Sequence, residues 1–187
     1  MSESKVVNIL VGGIGATGKT TLINCLTNQF PSSKGTDWIY VSTSKGPIDV
    51  HLKCTNDIKG KNTELRSTRR SSSSSSSMMT DINGAIILCD STNPDFASLK
   101  DDINEAKKLF EAKQPIVVCF NKVDSKETQG FKVIQTEEWK NIQISDPKIE
   151  VCMTSYKNNR NCDKPLLFLL RNLIDPELTI LENEKKG

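Results

Sequence analysis

The feature that most constrains the fold is an eight-residue, glycine-rich segment that lies between an apolar run and an amphipathic run. It reads Gly13-Ile14-Gly15-Ala16-Thr17-Gly18-Lys19-Thr20 and matches G-x-x-x-x-G-K-[ST] without a gap. VVNILVG before it is typical of a strand buried on both faces, and KTTLINCLTNQ after it has apolar residues at helical spacing. A strand, a glycine turn and a helix in this order predict a parallel α/β sheet with a phosphate-binding loop.

The residue types in this segment suit a bound phosphate. Glycines let consecutive backbone N–H groups converge on one anion without obstruction by a Cβ atom, and the N-terminus of the following helix adds a favourable dipole. Lys19 can reach the β- and γ-phosphates of a nucleotide, and the Thr20 hydroxyl can ligate Mg²⁺. We therefore expect a nucleoside triphosphate with Mg²⁺ as the ligand.

The remainder of the chain alternates predicted strands with predicted helices. Residues 37–54 are typical of a β-hairpin around the Lys45–Gly46 turn. The runs GAIILCD, PIVVCFN and KIEVCMT indicate strands, and helices are predicted over 95–113, near 136–142 and around 165–174. This alternation indicates an α/β sheet with helices on both faces. We expect one domain at residues 6–175, between tails at 1–5 and 176–187.

A serine-rich stretch interrupts this pattern. Residues 59–79 read KGKNTELRSTRRSSSSSSSMM and include seven consecutive serines at 71–77. A serine homopolymer cannot bury enough apolar area to offset the entropy lost on ordering, so we expect a mobile, solvated insert near 66–79. The alternative is a regulatory insert, because RRSSS is a plausible target for a kinase that prefers basic residues.

Two further polar segments bear on the choice of base. Asn121-Lys122-Val123-Asp124 follows the strand PIVVCF directly, at a carboxyl end where open α/β sheets bind ligands. The Asp124 carboxylate can accept hydrogen bonds from N1–H and the 2-amino group of guanine, whereas adenine presents neither donor. Each such bond contributes about 1.5–3 kcal/mol, so this segment favours GTP over ATP. The third segment, Thr154-Ser155-Tyr156-Lys157, also follows a strand, and its backbone amides can contact guanine O6.

With these three segments in order, the chain resembles the Ras superfamily of small GTPases, and more narrowly the Rab branch. The resemblance to Rab proteins is carried by KGTDWIYV at 34–41, with Gly35, Asp37 and Trp38 in register, and by DSTNPDFASL at 90–99. It covers most of residues 6–175. It implies a P-loop NTPase fold of the small-GTPase type, with a mostly parallel six-stranded sheet flanked by about five helices, and it implies GTP binding with slow hydrolysis.

The resemblance also assigns roles between the first and second segments. It places Ser33 where family members carry an Mg²⁺-binding threonine, with Thr36 as the alternative. It implies that Asp57 holds an Mg²⁺-bound water and that Gly60 contacts the γ-phosphate. Lys61 replaces the hydrolytic glutamine of the family, and its ammonium can donate hydrogen bonds to the attacking water but cannot accept one. We therefore predict weak GTP hydrolysis.

Composition and the chain ends limit the partners. The formal net charge is +2, from 25 basic and 23 acidic residues, so we expect no nucleic-acid surface. The six cysteines form no C-x-x-C pair and lie mostly in apolar runs, which indicates reduced core thiols. The apolar runs are far shorter than the ~20 residues of a membrane span, and the final ENEKKG lacks a prenylation cysteine. We expect a cytoplasmic monomer without a stable membrane anchor, at most peripheral to membranes.

These features predict a GTP-binding molecular switch of the Rab type, in vesicle trafficking or signalling, that acts with effector, exchange and activating proteins. Two alternatives stay open: a pseudo-GTPase scaffold that binds nucleotide without cycling and, more remotely, a P-loop nucleotide kinase. The predicted nucleotide-binding residues are Gly13, Gly15, Ala16, Thr17, Gly18, Lys19, Thr20, Thr21, Ser33, Gly60, Asn121, Lys122, Asp124, Ser155, Tyr156 and Lys157. The predicted Mg²⁺ ligands are Thr20, Ser33 and Asp57, and the predicted catalytic positions are Lys19 and Lys61.

Overall fold

Strands and helices account for most of the residues that the structure describes. The computed structural model describes residues 4–56, 58, 82–110, 114–124 and 149–181. The strands in these ranges are β1 (Lys5–Gly12), β2 (Trp38–Thr43), β3 (Gly46–Cys54), β4 (Ile82–Asp90), β5 (Ile116–Asn121) and β6 (Ile149–Met153). The α-helices are α1 (Lys19–Gln29), α2 (Phe96–Leu109) and α3 (Lys164–Leu173), and a 3₁₀ turn spans Tyr156–Asn158.

The six described strands form one sheet in the order β2-β3-β1-β4-β5-β6. β1 pairs in parallel with both β3 and β4, and parallel pairing continues through β5 to β6. Among the described strands β2 alone is antiparallel, because a tight turn folds it back onto β3. Gly46 ends this turn with φ of 100°, a left-handed conformation that suits glycine. The predicted hairpin and the predicted α/β architecture with a mostly parallel, six-stranded sheet are confirmed.

Apolar side chains on both faces of the sheet divide the core into two clusters. α1 and α3 cover one face, where Leu22, Leu26 and Leu169 are fully buried. α2 covers the opposite face through Leu99 and Ile103. β4 and β5 are buried on both faces for almost their whole length, which explains their nearly continuous apolar sequences. The prediction of helices on both faces is therefore confirmed.

The number of helices differs from the prediction. Three α-helices lie within the described residues, against about five expected. The helix predicted near 136–142 and the serine-rich stretch at 59–79 fall outside those residues. α2 begins one residue after Asp95, whose Oδ1 accepts a hydrogen bond from Ser98 N at 3.0 Å and so caps the first turn. In the described part of the chain, none of the helices is long and apolar enough to cross a membrane.

The chain segments on either side of the hairpin run along the outer edge of β2. After α3, Leu178 is fully buried and Ile180 forms an antiparallel bridge with Thr43. Towards the other end of β2, Pro31 forms an antiparallel bridge with Ile39. The packed structure thus continues beyond residue 175, where the sequence analysis set the end of the domain.

The cysteines are all free thiols, and most of them lie in the core as expected. Cys89, Cys119 and Cys162 are buried, and two others are partly buried. Burial raises the pKa of the Cys89 thiol to about 12, so this thiol stays protonated at neutral pH. Cys54, at the end of β3, is exposed, so the prediction of a core thiol is wrong there.

Candidate functional site

The glycine-rich loop connects the carboxyl end of β1 to α1, as the sequence predicts. Gly13, Gly15 and Gly18 have φ of 131°, 66° and 103°, in the left-handed region that disfavours residues with a Cβ atom. A Cβ on Gly13 would lie 2.4 Å from the carbonyl oxygen of Leu88. A Cβ on Gly18 would lie 2.2 Å from Nδ2 of Asn121. At these two positions both the backbone conformation and the neighbouring atoms require glycine.

The backbone of this loop presents hydrogen-bond donors without acceptors. The N–H groups of residues 15–18 donate to no other residue in the described part of the chain. α1 then begins at Lys19 without a side-chain cap and without an acidic residue in its first turn. Unpaired N–H groups at a helix N-terminus attract anions, so this arrangement fits a bound phosphate.

Lys19 is buried within the loop. Its Nζ donates to the carbonyl oxygens of Gly13 at 2.5 Å and Gly15 at 2.9 Å, and the residue is 6% exposed. Burial lowers the pKa of Lys19, and neighbouring acidic groups oppose that effect only in part. An anionic group in the loop would supply the negative charge that this buried ammonium lacks. The lysine therefore also fits a phosphate ligand.

Asn121 joins the loop to the other two predicted segments. Its Nδ2 donates to the carbonyl oxygen of Thr17 at 2.9 Å, and its Oδ1 accepts from the backbone N–H of Tyr156 at 3.2 Å. The side chain is nearly inaccessible to solvent, at 4% exposure. Residues that are far apart in the sequence thus meet at one edge of the sheet, as predicted from their positions after the carboxyl ends of parallel strands.

Asp124 lies against the third segment. The hydroxyl of Ser155, which is fully buried, donates to Oδ1 of Asp124, which is exposed. This hydrogen bond is the main reason that the pKa of Asp124 lies below its ordinary value, and the charge of Lys157 lowers it further. The carboxylate is therefore ionised at neutral pH and open to hydrogen-bond donors of a ligand.

Backbone hydrogen bonds fix the third segment beside β5. Thr154 N–H donates to Phe120 at 2.9 Å, and Ser155 exchanges two hydrogen bonds with Arg160, at 3.1 and 2.9 Å. Because the Tyr156 amide donates to Asn121, three of the four amides predicted to contact guanine O6 already have acceptors. The Lys157 N–H has no acceptor among the described residues, so it is the amide in this segment that a ligand can use.

Asp90 is a residue of this site that the sequence motifs do not predict. Its Oδ2 accepts a hydrogen bond from Nζ of Lys122, and its Oδ1 accepts from the backbone N–H and the hydroxyl of Thr92, at 2.9 and 2.7 Å. Asp90 ends β4 directly opposite Asn121 of β5. An acidic residue immediately after the apolar run GAIILC is the sequence signal that could have revealed it.

The described residues include only part of the predicted Mg²⁺ site. Thr20 and Thr21 are exposed in the first turn of α1, and Ser33 and Thr36 are exposed before β2. Within the described ranges, no hydrogen bond joins Ser33 or Thr36 to the glycine-rich loop, and no group of three or more His, Cys, Asp or Glu side chains is placed to hold a metal ion. The predicted Asp57, Gly60 and Lys61 fall outside those ranges.

A small cleft lies beside the loop. Its volume is about 80 Å³, and it is lined by Ile14 and Thr17 of the loop, by Asp90, and by Ser98 and Asp102 of α2. The Thr17 hydroxyl is buried without a hydrogen-bond partner among the described residues. Ligand pockets usually measure ~300–1,000 Å³, so this cleft alone cannot enclose a nucleotide. Residues 14–16 of the loop, next to the cleft, are exposed.

No protein-family model matches this chain, and a comparison with curated proteins finds no match. The resemblance to small GTPases therefore stays a prediction from the sequence motifs.

Proposed function

We propose that this protein binds guanine nucleotides and acts as a GTP-dependent switch with slow hydrolysis. The observation that carries the proposal is the hydrogen bond from Ser155 to Asp124, in a segment that Asn121 joins to the glycine-rich loop. It holds an ionised carboxylate at the same edge of the sheet as the unpaired N–H groups of the loop. The carboxylate can accept hydrogen bonds from a base, and the N–H groups can donate to a phosphate. Their position at one edge of the sheet therefore suits a nucleotide, which has both parts.

At the phosphate end, the loop supplies donors and a buried positive charge. The N–H groups of residues 15–18 bind phosphate oxygens, and Lys19 exchanges its hydrogen bonds to loop carbonyls for bonds to the β- and γ-phosphates. Thr20 is placed in the first turn of α1, where its hydroxyl suits an Mg²⁺ ion, and the sequence resemblance adds Ser33 and Asp57. When bound, Mg²⁺ neutralises charge on the phosphate oxygens.

At the base end, Asp124 provides selectivity. Its carboxylate accepts from N1–H and the 2-amino group of guanine, and the Lys157 amide donates to O6. Adenine offers a hydrogen-bond acceptor at N1 and no 2-amino group, so ATP would leave the carboxylate unpaired and lose the O6 contact. The site thus favours GTP and GDP over ATP.

The proposed reaction is hydrolysis of the γ-phosphate at a low rate. Lys19 stabilises negative charge on the transferred group, and Lys61 stands where the resemblance expects a water-orienting glutamine. With the Rab-like stretches at 34–41 and 90–99, this supports a cytoplasmic switch that recruits protein partners in its GTP form. Lys61 also favours a second candidate, a pseudo-GTPase scaffold that binds nucleotide without cycling.

Nucleotide affinities test the proposal. Kd values for GTP, GDP and ATP are measured with Mg²⁺ on the full chain and on Asp124→Ala and Lys19→Ala. We expect the unsubstituted protein to prefer GTP and GDP over ATP by about 100-fold or more. Asp124→Ala should remove this preference. Lys19→Ala should weaken the binding of all three nucleotides, because it removes a phosphate contact.

Asp175→Ala is the matched control. Asp175 is also an aspartate whose pKa is lowered by a hydrogen-bonding partner, Lys45, but Lys45 lies in the β2–β3 turn at the opposite edge of the sheet. This variant should keep all three affinities. Equal binding of GTP and ATP by the unsubstituted protein, or no binding of either, would overturn the proposal. Equal protease sensitivity in GDP and in a non-hydrolysable GTP analogue would favour the scaffold.

A further inference from the structure

The ion pair between Lys122 and Asp90 lies beside the segment that holds Asp124. Nζ of Lys122 donates to Oδ2 of Asp90, the last residue of β4. Asp90 lies opposite Asn121 in the β4–β5 register, and the N–H of Ser91 donates to the Asn121 carbonyl at 3.0 Å. The pair therefore connects the end of β4 to the loop that follows β5.

The carboxylate of Asp90 is itself held in one orientation. Its Oδ1 accepts from both the backbone N–H and the hydroxyl of Thr92, at 2.9 and 2.7 Å, which leaves Oδ2 directed to Lys122. Burial works against ionisation of Asp90, but the hydrogen bonds from Lys122 and Thr92 outweigh it and lower the pKa. Asp90 is thus a fixed, charged acceptor at neutral pH.

The backbone of Lys122 adopts an unusual conformation. Its φ is 66°, in the left-handed region that residues with a Cβ atom adopt at a cost. This conformation sets the direction in which the chain leaves β5. The next residue, Val123, donates to the Thr154 carbonyl at 3.3 Å, and Asp124 then meets Ser155. The orientation of the base-recognising carboxylate therefore depends on the conformation of Lys122.

We propose that Asp90 is a positioning residue for base recognition: by anchoring Lys122 in its left-handed conformation, it holds Asp124 where the 2-amino group of guanine can be read. This inference rests on the proposed function, and it assigns the effect of Asp90 to the base and not to the phosphates. The signature of this role is a change in discrimination between nucleotides that differ only at the 2-position of the ring.

The test compares GDP with inosine diphosphate (IDP), which lacks the 2-amino group. For the unsubstituted protein we expect Kd(IDP)/Kd(GDP) of about 10- to 100-fold, the contribution of one hydrogen bond to a charged group. Asp90→Asn keeps an acceptor for Thr92 but loses the charge that holds Lys122. This variant should raise the Kd for GDP about tenfold and change the Kd for IDP little, so that Kd(IDP)/Kd(GDP) falls by a similar factor.

Asp95→Asn is the matched control. Asp95 also accepts from a backbone N–H and a hydroxyl, both of Ser98, but it caps α2 and does not contact Lys122. This variant should leave both affinities unchanged. Because glycine adopts the left-handed conformation freely, adding Lys122→Gly to Asp90→Asn should restore much of the lost Kd(IDP)/Kd(GDP) ratio. Loss of the Lys122 side chain, a predicted nucleotide contact, should weaken the binding of GDP and IDP alike and so leave that ratio interpretable. If Asp90→Asn folds poorly, Thr92→Val removes the hydroxyl and keeps the backbone N–H, so that Asp90 Oδ1 is held by one hydrogen bond where it had two, and it should lower the ratio by a smaller factor.

The outcomes separate this inference from the proposed function. If the unsubstituted protein does not distinguish GDP from IDP, the base assignment and with it the proposed function fail. A second outcome is that the unsubstituted protein distinguishes GDP from IDP, but Asp90→Asn or Thr92→Val lowers the two affinities equally or leaves both unchanged. In that case the positioning role of Asp90 is wrong while the proposed function stands. A lower ratio with nearly unchanged IDP affinity, restored by Lys122→Gly, supports the inference.

Discussion

The side-chain amide of Asn121 donates to the carbonyl oxygen of Thr17 at 2.9 Å, across a separation of 104 residues in the sequence. The same side chain accepts from Tyr156 N–H at 3.2 Å. One buried residue thus fixes the distance between the glycine-rich loop and the segments that follow β5 and β6. On the proposed function, we expect the stability of the fold and the binding of nucleotide to depend on the same hydrogen bonds.

Replacing Asn121 with alanine should destabilise the fold. Two hydrogen bonds are lost and the buried Thr17 carbonyl is left without its donor, so we expect the free energy of unfolding to fall by about 1–3 kcal/mol. Urea denaturation at neutral pH measures the change. Asn158→Ala, at an exposed asparagine of the 3₁₀ turn, should stay within about 0.5 kcal/mol of the unsubstituted protein. A similar loss in both variants would contradict the prediction.

Alanine at Gly18 should be much more harmful than alanine at Gly46. The two glycines have nearly the same φ, 103° and 100°, so the conformational penalty is alike. The Cβ at Gly18 would collide with Asn121, whereas no atom lies within 4 Å of a Cβ at Gly46. We expect a loss of about 1 kcal/mol at Gly46 and clearly more at Gly18, measured by thermal or urea unfolding. Equal losses of stability in the two variants would show that the collision of a Cβ at residue 18 with Asn121 has no energetic effect.

The stability of the protein should fall in acid partly through Asp49. This residue is 3% exposed and accepts from Nζ of Lys34 at 2.8 Å and from Ser4. Burial alone would raise its pKa, but the hydrogen bonds from Lys34 and Ser4 reverse the sign, so the pKa is lowered in the folded protein. The stabilisation is therefore complete above about pH 4, the unfolded value, and is lost as pH falls through the folded-state pKa.

Asp49→Asn tests this pH dependence. The variant should be less stable at pH 7, and the difference from the unsubstituted protein should shrink as the pH is lowered from 5 towards 3. Urea midpoints at several pH values provide the measurement. Parallel acid profiles of the two proteins would mean that Asp49 does not carry this part of the acid sensitivity.

The rate of GTP hydrolysis should be very low in the unsubstituted protein. Because a lysine at position 61 cannot accept a hydrogen bond from the attacking water, we expect turnover at or below the order of 10⁻⁴ s⁻¹. A single-turnover assay with purified protein and Mg²⁺ measures it, and Lys61→Gln should raise the rate while leaving GTP affinity nearly unchanged. A rate ~100-fold above that scale before any substitution would refute the prediction.

Much of the architecture could be predicted from local sequence. The glycine-rich segment lies between β1 and α1 because its pattern specifies a strand, a left-handed turn and a helix in succession. The hairpin followed from the alternation in DWIYVSTS and the Lys45–Gly46 turn. The meeting of Asp124 with Ser155 could be anticipated because both follow strands of a parallel sheet, whose carboxyl ends lie at one edge.

Other parts depend on long-range relations that a single sequence does not display. Asp90 pairs with Lys122 because the register of β4 and β5 places it opposite Asn121, and that register is set by packing of the whole sheet. The packing of His51 on Trp38, with ring centroids 4.4 Å apart, arises from the register of β2 and β3. The bridge between Ile180 and Thr43 joins segments too far apart for local propensity to reveal.

The bridges along β2 have a consequence for self-association. A bare edge strand offers a row of backbone donors and acceptors that another molecule can add to, which is a common route to aggregation. Here the carbonyl of Phe30 accepts from Tyr40, and the N–H of Leu181 donates to Ser42, so both halves of the outer side of β2 already have partners from the same chain. Removing residues 178–181 would uncover one half of that edge and should make the protein prone to intermolecular β-pairing.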